Sequence, residues 1–334
     1  MLQEVRNRFP QLSAIAEACY GQEPPPLFFN GKVVKSCTGV QQGDPLGPLF
    51  FASTLQPILE RIKNEVPDLK MNSWYLDDGF LAGDLQSVHK ALRIIEEEAP
   101  RIDLHLRKDK CLITRPDVTE ATNTSVDEVD SDIPVTSSRN LTLLGAPVGT
   151  AQFQKDHLLA KADSIGQLVK KLQLLQDPQL QLTMLRACYG LPKFYFSIRT
   201  TSPENSLAAC AEFDHHQRNA LSSLLGSPID NSTWEQASLP ISLGGLGLRS
   251  AINPALIAYA SSLRLSATLS RLILPSFSMT AATPVDDDQF SKTQKQLSWD
   301  LDLASQKKLL EAASDDRMRA RLHSVSLPLS GDYT

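Results

Sequence analysis

The 334-residue chain contains no run of about twenty apolar residues, and so offers no candidate membrane span. Its opening stretch, MLQEVRNRFPQLSAIAEACY, interleaves charge with apolar residues and lacks the apolar heart of a signal peptide. Five cysteines (Cys19, Cys37, Cys111, Cys188 and Cys210) lie far apart with no CxxC pair, which argues against a disulfide frame and a cysteine-built zinc site. Reduced thiols in an intracellular protein, cytoplasmic or nuclear, are the expectation. The six histidines show neither HxxxH nor HExxH spacing. His215 and His216 are neighbours that diverge by about 100° on a helix, and are expected at the surface rather than as a metal pair. A basic excess is also lacking: the formal net charge is −5, whereas a protein gripping a polyanion usually carries the opposite sign.

That charge is unevenly placed. Asp117, Glu120, Asp127, Glu128, Asp130 and Asp132 fall in one stretch without a basic residue. From Phe153 to Arg199, seven basic residues stand against three acidic ones, a local net of +4. This segment is either a basic binding surface or a solvated helix face.

The apolar content of 42% is ordinary for a chain that buries a core, and the length allows two domains or one large one. Apolar spacing predicts a helix to about Tyr20, followed by a hairpin in LFFNGKVV turning at Asn30-Gly31. A second helix is expected from Asp44 as cap and Pro45 as first residue to Val66, with Leu55, Ile58, Leu59 and Ile62 as its apolar stripe. A hairpin around WYLDDG follows, then a helix from Leu85 to Glu98 with Val88, Ala91, Leu92 and Ile95 inward. IDLHLRKDKCLIT reads as a strand or turn pair, residues 115–139 as a flexible acidic loop, and LTLLGAPVG as a short strand-turn. From Phe153 to about Arg271 the pattern is mainly helical, broken at GLPKF, SPEN and LPISLGGLGL. A polar, poorly ordered link is expected after Ser276, and a last helix near Asp300 to Leu322. There is no internal repeat.

Two segments carry chemistry. In WYLDDG, residues 74–79, two adjacent carboxylates stand behind an apolar run. Asp78-Gly79 is a strong hairpin-turn signal, so the stretch alone is read as a plain turn. The acids are equally suited to a hard cation. In SCTGVQQGDPLGPLFF, residues 36–51, a glycine-bearing loop feeds a helix N-terminus. Gly39 and Gly43 let backbone approach a ligand, and the helix start offers free N–H groups. Gln41 and Gln42 can hydrogen-bond a base or sugar edge. Taken alone, Gly-Asp-Pro is also simply good capping.

Together, QGDPLGPLFF and, thirty-three residues later, YLDD resemble the reverse transcriptases of LINE-type, non-LTR retroelements. The resemblance implies that the loop and helix Gly39–Phe51, with Gly39, Gln42 and Gly43, contact the template strand and incoming nucleotide. It implies that Asp77 and Asp78 are catalytic metal ligands for Mg2+ and that Tyr75 shapes the nucleotide pocket. LHLRKDKCLI resembles the next motif, with Lys110 placed near the triphosphate, and LTLLGAPVG the small hairpin that steadies the primer. RACYGLPKFYFSIRTT and WEQASLPISLGGLGLRSA are similar to the helical region after the palm. The likeness covers residues 1 to about 265. The fold implied is α+β: a partial polymerase palm over 1–150, with an incomplete βαββαβ sheet and helices, then a mainly helical thumb-like region over 151–275 and a flexible link with a terminal helix over 276–334. The partners implied are an RNA template, a DNA primer and deoxynucleoside triphosphates.

The pattern also has departures. The family takes one more aspartate from an apolar strand well before the glutamine loop. Before Ser36 the chain has only Glu4, Glu17 and Glu23 as acids, none behind such a strand. By this comparison the chain starts inside the helix after that strand, without fingers. One bridging metal ligand is then wanting, at least one ion binds weakly, and the chain alone is expected to be inactive and marginally stable. Phe50 stands where a long aliphatic residue is usual. The alternative is a non-catalytic nucleic-acid- or protein-binding remnant of a retroelement. No endonuclease, RNase H or zinc-knuckle motif is legible.

Overall fold

The computed structural model describes residues 1–23, 26–115, 132–274, 277, 292–313 and 315–327. Mixed helix and strand, as the sequence implies, divide into two compact units, residues 1–138 and 139–334. The acidic run 116–131 and most of the link after Ser276 lie outside the described residues.

The first unit opens with α1 (Leu2–Arg8) and α2 (Ser13–Tyr20), joined by a 3₁₀ turn. The hairpin of β1 (Pro26–Phe29) and β2 (Lys32–Lys35) turns at Asn30 and Gly31, as read, with φ of 48° and 73°. Two consecutive positive φ angles are what a tight hairpin requires. Next comes α3 (Gly47–Glu65), which begins later than Asp44-Pro45 suggests. Asp44 does not cap a helix. It closes a turn, its Oδ1 accepting the Leu46 N–H at 2.8 Å and its carbonyl the Gly47 N–H at 3.0 Å. A short aspartate side chain bonds backbone two residues on as readily as it caps.

After β3 (Met71–Tyr75) and β4 (Asp78–Ala82) comes α4 (Leu85–Glu98). Asp84 caps α4 by accepting the Ser87 N–H at 2.9 Å. Leu55, Ile58 and Ile62 of α3 bury against Ala91, Leu92 and Ile95 of α4, with Leu59 and Val88 at the margin. Arg61 fastens the same two helices at the surface, pairing with Glu65, Glu97 and Glu98. A smaller cluster of Val5, Ala16 and Phe50 seats α1 and α2 on the start of α3. Phe50 is fully buried and meets the Tyr20 ring edge-on at 5.9 Å, so an aromatic is well accommodated there.

The stretch read as a strand or turn pair holds one 3₁₀ turn and one short strand, with a further 3₁₀ turn at its start. Ala99–Ile102 and Lys108–Lys110 form 3₁₀ turns, and only β5 (Ile113–Thr114) is extended. It pairs in parallel with β6 (Val135–Thr136), inside the stretch read as a loop, next to buried Ile133. Ile133, buried with the α3 and α4 residues, anchors the pair, while Val135 is exposed. Among the described residues every sheet has two strands, so the β3–β4 hairpin and β5 do not share one.

The second unit starts with the hairpin of β7 (Leu141–Leu143) and β8 (Ala146–Val148), as read. Six helices follow: α5 (Ala151–Lys171), α6 (Pro178–Ala187), α7 (Leu191–Thr200), α8 (Pro203–Leu225), α9 (Asn231–Ser238) and α10 (Ala255–Ile273). The breaks fall at the proline- and glycine-bearing stretches, where the backbone cannot continue a helix. Leu158, Ala162, Ile165 and Val169 line one face of α5 and bury against Ala209, Phe213 and Leu221 of α8 and Phe194 and Ile198 of α7. Phe194 and Phe213 stack at 5.1 Å. Where one terminal helix was expected, there are two: α11 (Gln294–Ala312), opened by a capping box at Thr293 and Gln296, and α12 (Asp316–Val325), capped by Asp315. Among the described residues, no helix is long and apolar enough to cross a membrane.

Candidate active site

The β3–β4 hairpin pairs Tyr75 with Asp78 and Trp74 with Gly79, so Leu76 and Asp77 form its two-residue loop. This corrects the turn read at Asp78-Gly79. Leu76, not a glycine, takes the positive φ, 56°, a region that costs a bulky side chain of order 1–2 kcal/mol. Gly79 serves a different need. A Cβ there would fall 2.6 Å from the Trp74 ring, so the missing side chain is the space the indole occupies across the ladder. The indole Nε1–H donates to Asn72 Oδ1 at 2.7 Å.

This geometry puts the two acids at consecutive positions of the hairpin end, Asp77 in the loop and Asp78 at the first position of β4. Both are exposed, and among the described residues neither side chain makes a hydrogen bond or ion pair. An exposed carboxylate without a partner can take up a hard cation without first giving up another contact. Among the described residues no third His, Cys, Asp or Glu brings a donor atom to the pair within ligand spacing. Tyr75 is 66% exposed at the same hairpin end, an unusual placement for a large aromatic with nothing to cover it.

The glutamine loop is shaped by backbone. Gly39 and Gly43 have φ of 78° and 96°, and open space surrounds the place where a Cβ would stand. Gln42 is exposed between them. What holds this loop was not legible. The Tyr20 hydroxyl, from α2, donates a short hydrogen bond to Asp44 Oδ2 and accepts the Gln41 N–H at 3.2 Å. That donation, then the Leu46 N–H, keeps the Asp44 carboxyl below its usual range; burial, then the carboxylate beside it, pushes the Tyr20 hydroxyl up. Nothing in the sequence links Tyr20 to a loop twenty residues on, since the contact depends on how α2 packs.

Lys110 ends the exposed 3₁₀ turn Lys108–Lys110. The structure thus joins Gly39, Gln42 and Gly43 in one loop and Tyr75, Asp77 and Asp78 in one hairpin. No hydrogen bond or ion pair among the described residues links these groups or Lys110 to one another. His216, expected at the surface, is instead largely buried in the second unit.

Residues 5–148 match the family model for reverse transcriptase, the RNA-dependent DNA polymerase. The chain is also similar to the retrotransposable element SLACS 132 kDa protein of Trypanosoma brucei gambiense, 23% identical over 266 residues. That match covers 73% of this chain and 22% of the trypanosome protein, so the chain spans about a fifth of its relative. Over residues 5–148 the chain is thus similar to reverse transcriptases, and over most of its length to a retrotransposon protein.

Proposed function

We propose that Asp77 and Asp78 hold a divalent cation, Mg2+ by the chemistry of two hard oxygen donors, for RNA-directed DNA synthesis. The observation that carries this reading is the pair of exposed, unpaired carboxylates on a hairpin within the matched residues. Such ions, about 3.5–4 Å apart in polymerases, activate a primer hydroxyl and neutralise triphosphate charge. The chain's own residues bind and orient. Gly39 and Gly43 admit a template strand close to backbone, Gln42 offers an amide to a base or sugar edge, Tyr75 walls the nucleotide, and Lys110 meets phosphate. In this reading residues 1–138 are a partial palm and the helices after Ala151 are thumb-like.

Two carboxylates are one short of a set that bridges two ions. Alone, therefore, this chain binds template and primer but turns over slowly or not at all. Primer extension on poly(rA) with oligo(dT), in Mg2+ and in Mn2+, beside Asp77→Asn/Asp78→Asn, tests this. The expected result is little or no extension while salt-sensitive RNA binding persists. Robust extension abolished by the double variant would show a complete site and overturn the shortfall. Loss of both extension and RNA binding, in folded protein, would overturn the polymerase reading itself.

A non-catalytic nucleic-acid-binding role rests on a separate observation in the second unit. Lys161 lies over the Phe196 ring at 5.7 Å and Lys193 over Tyr189 at 5.8 Å, a basic and aromatic pairing suited to a nucleic acid strand. Burial, then the neighbouring Lys193, lowers the Lys161 ammonium.

A further inference from the structure

A second set of ligand atoms converges in residues 139–334, and none of the three residues that supply it has a role in the polymerase reading. His216 Nε2 lies 3.2 Å from Asp163 Oδ1 and 3.3 Å from Glu212 Oε1. All three donor atoms fall within 4.8 Å of one another. Asp163 comes from α5, while Glu212 and His216 sit four apart on α8 and so share a face. The imidazole is mostly buried, its side chain 13% exposed, and the carboxylates reach it from the solvent side at 60% and 40%.

The ring is placed independently of those carboxylates. A Cβ at Gly166 of α5 would stand 2.5 Å from the His216 Cδ2 and Nε2 atoms, so the imidazole lies flat on bare backbone. Its Nε2 is thereby aimed at two carboxylates at once. A neutral ring carries at most one proton on that nitrogen and can donate to one oxygen only. Among the described residues, neither Asp163 nor Glu212 pairs with a lysine or arginine. The cluster thus combines one nitrogen and two carboxylates without a cation of its own.

Spacing and donor type specify the cation that fits. With metal–ligand bonds of about 2.0–2.2 Å, tetrahedral ligands stand roughly 3.3–3.5 Å apart. The two observed separations from Nε2, 3.2 and 3.3 Å, are close to edges of that tetrahedron. One imidazole with two carboxylates suits zinc better than the all-oxygen shells of Mg2+ or Ca2+. We propose that Asp163, Glu212 and His216 form a three-ligand Zn2+ site with its fourth position open to water, tying α5 to α8. The proposal does not rest on the polymerase reading.

The competing occupant is a second proton on the ring. To separate them, the full chain is stripped with chelator, dialysed against buffered Zn2+, and assayed for metal content and thermal midpoint beside His216→Asn and Asp163→Asn. All are made in an Asp77→Asn/Asp78→Asn background, so that the hairpin acids contribute nothing. The expected result is about one more equivalent of zinc in the parent than in either variant, with a zinc-dependent rise in Tm that both variants lose. The Co2+ form should show ligand-field bands without thiolate charge transfer, because the exposed Cys19, Cys37 and Cys188 are the other candidate ligands. Equal zinc content and equal Tm shifts in parent and variants would overturn the proposal, as would a Co2+ spectrum of thiolate ligation alone. Metal-free melts of each variant report any misfolding, and Asp163→Asn, at an exposed position, keeps the test open if His216→Asn fails to fold.

Discussion

Trp74 and Gly79 form the contact on which the presentation of Asp77 and Asp78 depends. A methyl at Gly79 must displace the indole. Gly79→Ala should therefore destabilise the first unit by about 1–3 kcal/mol, the usual cost of overpacking, with a shift in tryptophan emission. An unchanged denaturation midpoint would show that the ring swings aside freely. Gly39 and Gly43 differ, since open space surrounds both and the requirement there is positive φ alone. Tyr20→Phe keeps the edge-on contact with Phe50 but removes both hydroxyl bonds to the loop. Faster amide exchange across residues 39–46, with α3 unaffected, is expected. Both acids of the hairpin were legible from the sequence, but their supports were not. Asp78-Gly79 reads as a turn because glycine tolerates positive φ, yet this glycine answers to an indole across the strand pair, a tertiary demand invisible to local pattern. Likewise, the closeness of His216 to Asp163 arises only when α5 meets α8, 53 residues apart in sequence.

Among the elements, α8 depends on a buried acid. Asp214 accepts the Ala251 N–H at 2.7 Å and a short bond from the Ser250 hydroxyl, tying α8 to the loop before α10. It also lines a cavity of about 260 Å³ with Trp234, Arg249 and Asp302. Burial outweighs these bonds and pushes its carboxyl up to about 6. The folded state thus holds this proton more tightly than the unfolded chain, whose aspartates titrate near 3.9. Its contribution to stability is greatest below about pH 4 and is lost as pH rises through about 6, by up to about 3 kcal/mol. Denaturant titrations at pH 4 and pH 7 should show the difference between wild type and Asp214→Asn shrinking across that window. A constant difference would mean that Asp214 titrates normally. Most helices were legible from apolar spacing and caps, α4 to the residue, because both signals are local. The start of α3 was misread because aspartate closes turns and caps helices with the same oxygen. Strand β6 was missed because two residues carry no period.

Across the whole chain, the two units are unequally built. Among the described residues, the second buries clusters of nineteen and three residues, whereas the first has clusters of ten and three. Buried apolar area drives stability, so hydrogen exchange should open residues 1–115 before residues 151–273. Simultaneous opening would contradict this. The first unit also exposes Leu27, Phe28, Phe29, Val33 and Val34 on a hairpin that, among the described residues, pairs with no third strand. Such a surface favours self-association, and Phe28→Ser/Phe29→Ser should lower the aggregate fraction in light scattering without shifting Tm. The functional claim itself is tested most directly by Mn2+ titration of isotope-labelled chain, read as paramagnetic broadening of backbone amides. Selective broadening of residues 75–79, lost in Asp77→Asn/Asp78→Asn, is the predicted result. Unbroadened hairpin amides at Mn2+ concentrations that broaden other sites would contradict the assignment of Asp77 and Asp78 as the polymerase metal ligands.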